Sequence, residues 1–152
     1  MNTSTRFAGL AMILAMAVMG TTTQMVADQG LRLNARQNKQ INGFEAELRG
    51  DYREKNGPDR LNSELEKINL PNGVPVAFCL AQGGTSSLIG IATVARVAGI
   101  PSARLELEAN DGDTVPKVSA GDVLEAHQQS AKPFLRNPTC ASPLLISAPF
   151  VK

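Results

Sequence analysis

From Gly43 onward the chain alternates apolar and polar residues with a period of two, and this rhythm restricts the fold more than any other feature. Phe44, Ala46 and Leu48 alternate with Glu45, Glu47 and Arg49. Successive side chains on a strand point to opposite faces, so this run reads as a half-buried strand extending to Tyr52. Lys55-Asn-Gly-Pro-Asp59 then supplies a turn, because Asn and Gly accept positive φ and Pro presets its own. Leu61, Ser63 and Leu65 alternate with Asn62, Glu64 and Glu66. Leu61, Leu65 and Ile68 also fit helical spacing, but the close flanking turns and the neighbouring strand favour a hairpin. The hairpin has a definite register. Leu48 opposite Leu65 and Tyr52 opposite Leu61 share the core face, and Arg49 opposite Glu64 lies on the wet face. A slip of one residue would set leucines against polar side chains.

Further strands follow at similar spacing. Val74 to Ala81 is apolar almost throughout, as in a central strand covered on both sides. Gln82 to Ser87 reads as a flexible loop, and Leu88 to Val97 as a β-branched fourth strand. Ala103, Leu105 and Leu107 alternate with Arg104, Glu106 and Glu108 in a fifth. Val123 to Gln128 is a sixth and Leu144 to Phe150 a seventh, with a proline-rich irregular loop over Lys132 to Pro143 before it. The expectation is all-β: about seven strands in an antiparallel β-sandwich over residues 43–152.

The N-terminus reads differently. Arg6 precedes fourteen uncharged residues, Phe7 to Gly20, and Thr21-Thr22-Thr23-Gln24 ends the run. That is the pattern of a signal peptide over residues 1–20, cut after Ala17 or Gly20 or as late as residue 27. An uncleaved anchor is the alternative, but the run is short against the ~20 apolar residues of a span. No membrane span remains once the leader is cut. Residues 21–42 carry no strong apolar stripe and read as a linker or mobile arm. Basic and acidic residues number 15 and 14, and losing Arg6 brings them level. Near-neutrality argues against nucleic-acid partners, which require clustered Lys and Arg. The two cysteines, Cys79 and Cys140, lie 61 positions apart. In an exported chain they read as a disulfide, with buried free thiols as the alternative. The expected location is secreted or periplasmic.

The segment Leu105-Glu-Leu-Glu-Ala-Asn-Asp-Gly-Asp-Thr-Val-Pro-Lys-Val-Ser-Ala-Gly-Asp122 resembles a turn pattern of small secreted bacterial β-sandwich domains of unknown function. Leu70-Pro-Asn-Gly-Val-Pro-Val76 is similar to their preceding turn and strand. The resemblance covers roughly residues 43–152. It implies the fold and an exported location, and it carries over no activity and no site residue.

Candidate chemistry is sparse. Asp111, Asp113 and Asp122, assisted by Asn110, could gather oxygens around calcium, which takes six to eight such ligands. The structural reading is that these residues make turns. His127 is the sole histidine and sits out of phase with Leu124 and Ala126, which points it toward solvent. A hydrolase would need a serine and an acid beside it in space. Arg49-Gly50-Asp51 spells an adhesive tripeptide, but inside a strand, where chance is the better account. With no Trp, one Tyr and few Phe, most of them on apolar faces, exposed platforms for sugars are not expected.

Charge is the most informative surface feature. If the first, second and fifth strands share a sheet, Glu45, Glu47, Glu64, Glu66, Glu106 and Glu108 form one outward acidic face, relieved by Arg49 and Arg104. Such a face would suit cations or a basic protein partner; its plainer role is solvation and edge protection. The expected function is therefore a non-enzymatic secreted or envelope module, structural or binding through a sheet face. A small hydrolase using His127 and an accessory subunit pairing by an edge strand are the alternatives. No cofactor beyond the calcium candidate is expected.

Overall fold

Asn42 and Gly43 both adopt positive φ, 51° and 82°, the conformation that a two-residue hairpin turn requires. They join β1 (Leu31–Ile41) to β2 (Phe44–Glu54), which pair antiparallel from Leu31↔Glu54 to Ile41↔Phe44. In this computed structural model, residues 30–130 and 139–152 are described. The expected leader and residues 132–138 of the expected irregular loop lie outside them.

The strand β1 corrects the expectation of a linker or mobile arm over residues 21–42 where that expectation meets the described chain. Only Leu33 and Ala35 of β1 are buried, while Gln37 to Gln40 are exposed on both faces. The strand is held by its ladder to β2 rather than by an apolar stripe, so periodicity alone does not find it. The Asn-Gly pair before Phe44 is the local signal that does.

The β2–β3 hairpin has the register derived from the alternation. In β3 (Pro58–Glu66), Leu65 faces Leu48, Leu61 faces Tyr52 and Glu64 faces Arg49. The remaining strands are β4 (Pro75–Gln82), β5 (Thr85–Thr93), β6 (Ala95–Val97), β7 (Ile100–Glu108), β8 (Val123–Gln128) and β9 (Leu144–Val151). All neighbours are antiparallel, in the order β5-β4-β8-β9-β1-β2-β3-β7-β6. The architecture is thus one nine-stranded sheet curled into a half-barrel, where seven strands in a sandwich were expected. Two differences account for the count. β1 is added, and the stretch from Leu88 to Val97 is broken at Val94. The expected flexible loop at Gln82 to Ser87 is a tight turn at Gly83-Gly84 followed at once by β5.

Val94 explains the curl. It is buried, its N–H donates to the Val74 carbonyl (2.9 Å), and its own carbonyl accepts from Gly73 N–H (2.8 Å). Before it, β5 pairs with β4 at one end of the sheet; after it, β6 pairs with β7 at the other. One continuous segment therefore serves both ends of the sheet and draws them together.

The enclosed core contains Leu33, Leu48, Tyr52, Leu61, Leu65, Phe78, Leu124, Ile146 and Phe150, all essentially inaccessible. Burial pushes the Tyr52 phenol up to about 12, opposed in part by the backbone of Val118. Two strand glycines mark close approaches. A Cβ on Gly50 would lie 2.8 Å from Leu124 Cδ2 and 3.0 Å from Phe150 Cζ, and one on Gly90 would lie 2.7 Å from the Leu105 methyls. Gly50 is thus an inward position filled by its neighbours, which also accounts for the Arg-Gly-Asp tripeptide: it sits mid-strand, not on a loop tip.

Gly50→Ala should lower stability by about 1–3 kcal/mol through overpacking, read as a reduced denaturant midpoint with an unchanged slope. Ser63 is fully buried, and its hydroxyl has no hydrogen-bond partner among the described residues. Ser63→Ala removes that desolvated group and should raise stability by about 1 kcal/mol in the same measurement.

Candidate functional site

The outer surface of the sheet divides into two unlike faces. On β1, β2, β3 and β7 the outward positions are polar apart from Ile100 at the start of β7, which is 43% exposed. The registers set Arg32, Arg53, Arg60 and Glu108 in one row, Asn34, Asp51, Asn62 and Glu106 in the next, and Arg36, Arg49, Glu64 and Arg104 in a third. The six glutamates do share this face, but arginines are interleaved with them. Arg60 pairs with Glu106 and, at 3.1 Å, with Glu108; Arg53 pairs with Asp59 at 3.4 Å; Arg104 reaches Glu106 at 3.5 Å. Glu45 accepts a hydrogen bond from Asn38 at 3.4 Å. A shallow polar cleft of about 390 Å³ opens at the Arg53–Arg60 end, with Lys55, Asp59 and Glu108 among its walls. Its opposite charges already answer one another. The expected acidic face is a charge-balanced lattice.

Glu47 is the correction within it. Its carboxylate was expected to be wet, but its side chain is only 4% exposed. Oε1 accepts from Arg36 Nη2 at 2.7 Å and Arg49 Nε at 2.8 Å, and Lys67 Nζ lies 3.6 Å from Oε2. The opposing residue, Glu66, lies 3.5 Å from Arg49 Nη2. A directly opposed pair of carboxylates would repel; cations from three segments close over them instead. Those cations stay well exposed, so Glu47 is covered by a thin layer of wet side chains rather than sunk in the core. The hydrogen bond from Arg49, reinforced by the charges of Arg49, Arg36 and Lys67 against the cost of burial, holds the Glu47 carboxyl down at about 2.

The calcium candidates do not converge. Asp113 Oδ2 accepts from the Glu108 N–H (3.1 Å), closing the turn over Ala109–Asp111. Asp122 Oδ2 accepts from the Ser119 N–H and from Gln82 Nε2, both at 2.7 Å. Both carboxylates thus complete separate turns. Among the described residues no three His, Cys, Asp or Glu side chains gather in a metal-binding geometry.

His127 does not face solvent. It points to the outer side of β8, as the phase requires, but is only 5% exposed. The reason is the segment leading into β9, which folds over this part of the sheet. Cys140 is bonded to Cys79 on the outer side of β4, with Cα atoms 6.1 Å apart. The Gln129 side chain donates to the Thr139 carbonyl (3.0 Å) and accepts from the Thr139 N–H (3.3 Å) and the Ser142 hydroxyl (3.1 Å). Beneath it, His127 Nδ1 meets the Ser142 carbonyl at 2.8 Å and Nε2 meets Glu125 Oε2 at 3.1 Å. Ser86 Oγ donates to the same Glu125 oxygen at 2.8 Å. The serine thus bonds the acid, and each imidazole nitrogen is turned to an acceptor. Neither nitrogen is aligned to take a proton from a serine hydroxyl, which is the step a hydrolase of this kind requires.

The second outer face, on β5, β4, β8 and β9, is almost without charge. Strands β4, β5 and β9 contain no Asp, Glu, Lys or Arg, and β8 contributes only Glu125 and His127. Ala77 and Cys79 are sealed, but Leu88 and Ile91 on β5 remain 42% and 41% exposed and Leu144 on β9 47%. This face is the feature that sequence reasoning missed. The absence of charge along Thr85–Thr93 was its available signal.

Comparison of the chain with protein families, with curated proteins and with solved structures finds no match.

The Glu47 lattice makes stability depend on acid in a definite direction. Its carboxyl is depressed from 4.5 to about 2 on folding, so its contribution is complete above 4.5 and is lost as pH falls toward 2. Allowing for the exposure of its cations, the loss should be about 1–2 kcal/mol. Denaturant unfolding across this range should show it, and Glu47→Gln should flatten the dependence by that amount.

Proposed function

We propose that this chain is a non-enzymatic binding module of a secreted or periplasmic protein, and that its contact surface is the charge-poor outer face of β5, β4, β8 and β9. The observation that carries this reading is the segregation of charge between the two outer faces. One surface is laced with ion pairs that satisfy one another, and a face whose charges are already answered has little left to offer a partner. The other exposes large apolar side chains on strands without a single charged residue. Isolated exposed apolar residues are ordinary, whereas Leu88 and Ile91 lie together on a terminal strand that carries no charge, the kind of surface that interaction sites use.

Export is supported by the leader pattern of residues 1–20 and by the Cys79–Cys140 disulfide, which persists in oxidising compartments. Among the described residues no helix is long and apolar enough to cross a membrane. The glutamates serve solvation, and the aspartates at 111, 113 and 122 shape turns. A non-enzymatic role is favoured by the arrangement around His127, where the polar groups spend their hydrogen bonds holding the covering segment.

Site-specific photocrosslinking in the native compartment tests the assignment of faces. Probes replacing Leu88 or Leu144 should give crosslinked species, and probes replacing Glu64 or Arg104 should not. The opposite pattern would return the contact surface to the charged face and refute the reading.

A further inference from the structure

The two terminal strands of the sheet are treated very differently. At one end β6 has three residues, carries Arg96, and lies beside Pro101 of β7, which has no N–H to offer. Shortness, charge and proline are the devices that keep sheet edges from pairing with other chains. At the other end β5 is nine residues long, Thr85–Thr93, with no charge and no proline. It pairs with β4 on one side, and no described strand pairs with it on the other. Its sequence is β-branched and apolar around Leu88-Ile-Gly-Ile91, the composition that invites strand addition.

We propose that β5 pairs antiparallel with β5 of a second copy of this chain across a two-fold axis, joining two nine-stranded sheets into one. This rests on the contact surface assigned above and concerns its β5 border, where a second copy would extend the sheet. The register argument is specific. The β4–β5 ladder slips by one residue between Phe78 and Cys79, so that Leu88 pairs with Cys79 but Gly90 with Phe78, leaving Ile89 extra. The slip changes the phase of β5. Ser86 and Leu88 point outward before it, and Ile91 and Thr93 point outward after it, as their partners Ala81, Cys79, Ala77 and Pro75 show. A two-fold axis between Ile89 and Gly90 then places Leu88 opposite Ile91 of the copy, Ser87 opposite Ala92, and Ser86 opposite Thr93. Every such pair lies on a common face, as strand pairing demands. Registers shifted by one residue would set outward side chains against inward ones. The strand is therefore self-complementary, as the isologous contact of a two-fold dimer must be. Because neither strand carries charge, nothing repels the copy. The exposed apolar residues of the outer face become continuous across the axis, with Leu88 and Ile91 covering each other twice.

Sedimentation of the protein, expressed from its full sequence and purified, tests this. The wild type should be a dimer at micromolar concentration. Leu88→Lys sets an ammonium opposite Ile91 of the copy and should weaken dimerisation about 100-fold or more. Leu88→Lys combined with Ile91→Glu sets the introduced charges opposite each other twice and should recover most of the affinity, now in a salt-sensitive form. Both positions are exposed, and circular dichroism should show the fold unchanged. A wild type that is monomeric at every concentration would overturn the proposal, as would a dimer indifferent to Leu88→Lys or a double variant no tighter than the single. A monomer whose Leu88 probe crosslinks to a different protein would refute self-pairing alone and leave the face assignment intact. A dimer accompanied by crosslinks confined to Glu64 and Arg104 would sink the face assignment instead.

Discussion

The two hydrogen bonds at Val94 constrain this fold more than any other contact. A segment that pairs with β4 before Val94 and with β7 after it cannot do so in a flat sheet, because β4 and β7 stand near opposite ends of the strand order. The sheet has to curl far enough for one short segment to reach both of its ends. Curling brings the inner faces together, and where they come closest the side chains must be small: Gly50 admits Leu124 and Phe150, and Gly90 admits Leu105. The one buried side-chain oxygen left unbonded among the described residues, on Ser63, faces Gly50 across the β2–β3 ladder and Leu105 across the β3–β7 ladder. Small residues at these points are thus a consequence of closure, and each is a place where added bulk strains the whole curl.

Closure also creates two outer surfaces with different solutions to the same problem. Among the described residues no second sheet or α-helix lies outside the curled sheet, so much of its outer face meets water directly. On β1, β2, β3 and β7 the answer is a row-by-row mixture of charges, with Glu47 as the node on which Arg36, Arg49 and Lys67 converge. On β4 and β8 the answer is a strap of chain, pinned by the disulfide and by Gln129, which covers Ala77, Cys79 and His127. The strap leaves Leu88 and Ile91 of β5 uncovered in the described structure. The polar cluster of Ser86, Glu125 and His127 then has a structural explanation: it provides hydrogen bonds at the seam between strap and sheet.

Much of this was legible in the residues alone, and what was not has physical causes. Patterning located seven of the nine strands, by alternation in β2, β3 and β7 and by apolar or β-branched runs between turns in others, and alternation fixed the β2–β3 register because a slip would have turned its buried face outward. β1 escaped because an outer half with no buried side chain leaves no periodic trace, although Asn42-Gly43 marked its hairpin. The break at Val94 escaped because a residue that leaves one ladder and joins another is as apolar as its neighbours. The six glutamates were correctly placed on one face. Their neutralisation was hidden because Arg36 and Lys67 approach Glu47 from β1 and from beyond β3, and neither approach is a matter of strand phase. His127 was assigned its side of the strand but not its cover, since the covering segment is tied down by a cysteine far along the chain.

The placement of the disulfide has a consequence for how the molecule is made. The β1–β2–β3–β7 half is built largely from short-range hairpins, whereas the other half depends on partners far apart in the chain, such as Ala77 with His127. Closing loops of that length is slow relative to local hairpins. Cys140 follows β8 in the chain, so eight of the nine strands precede it. In the native fold the bond ties the segment before β9 to β4 beside β8, so a covalent link lies within the half of the sheet whose strand partners are farthest apart in the chain.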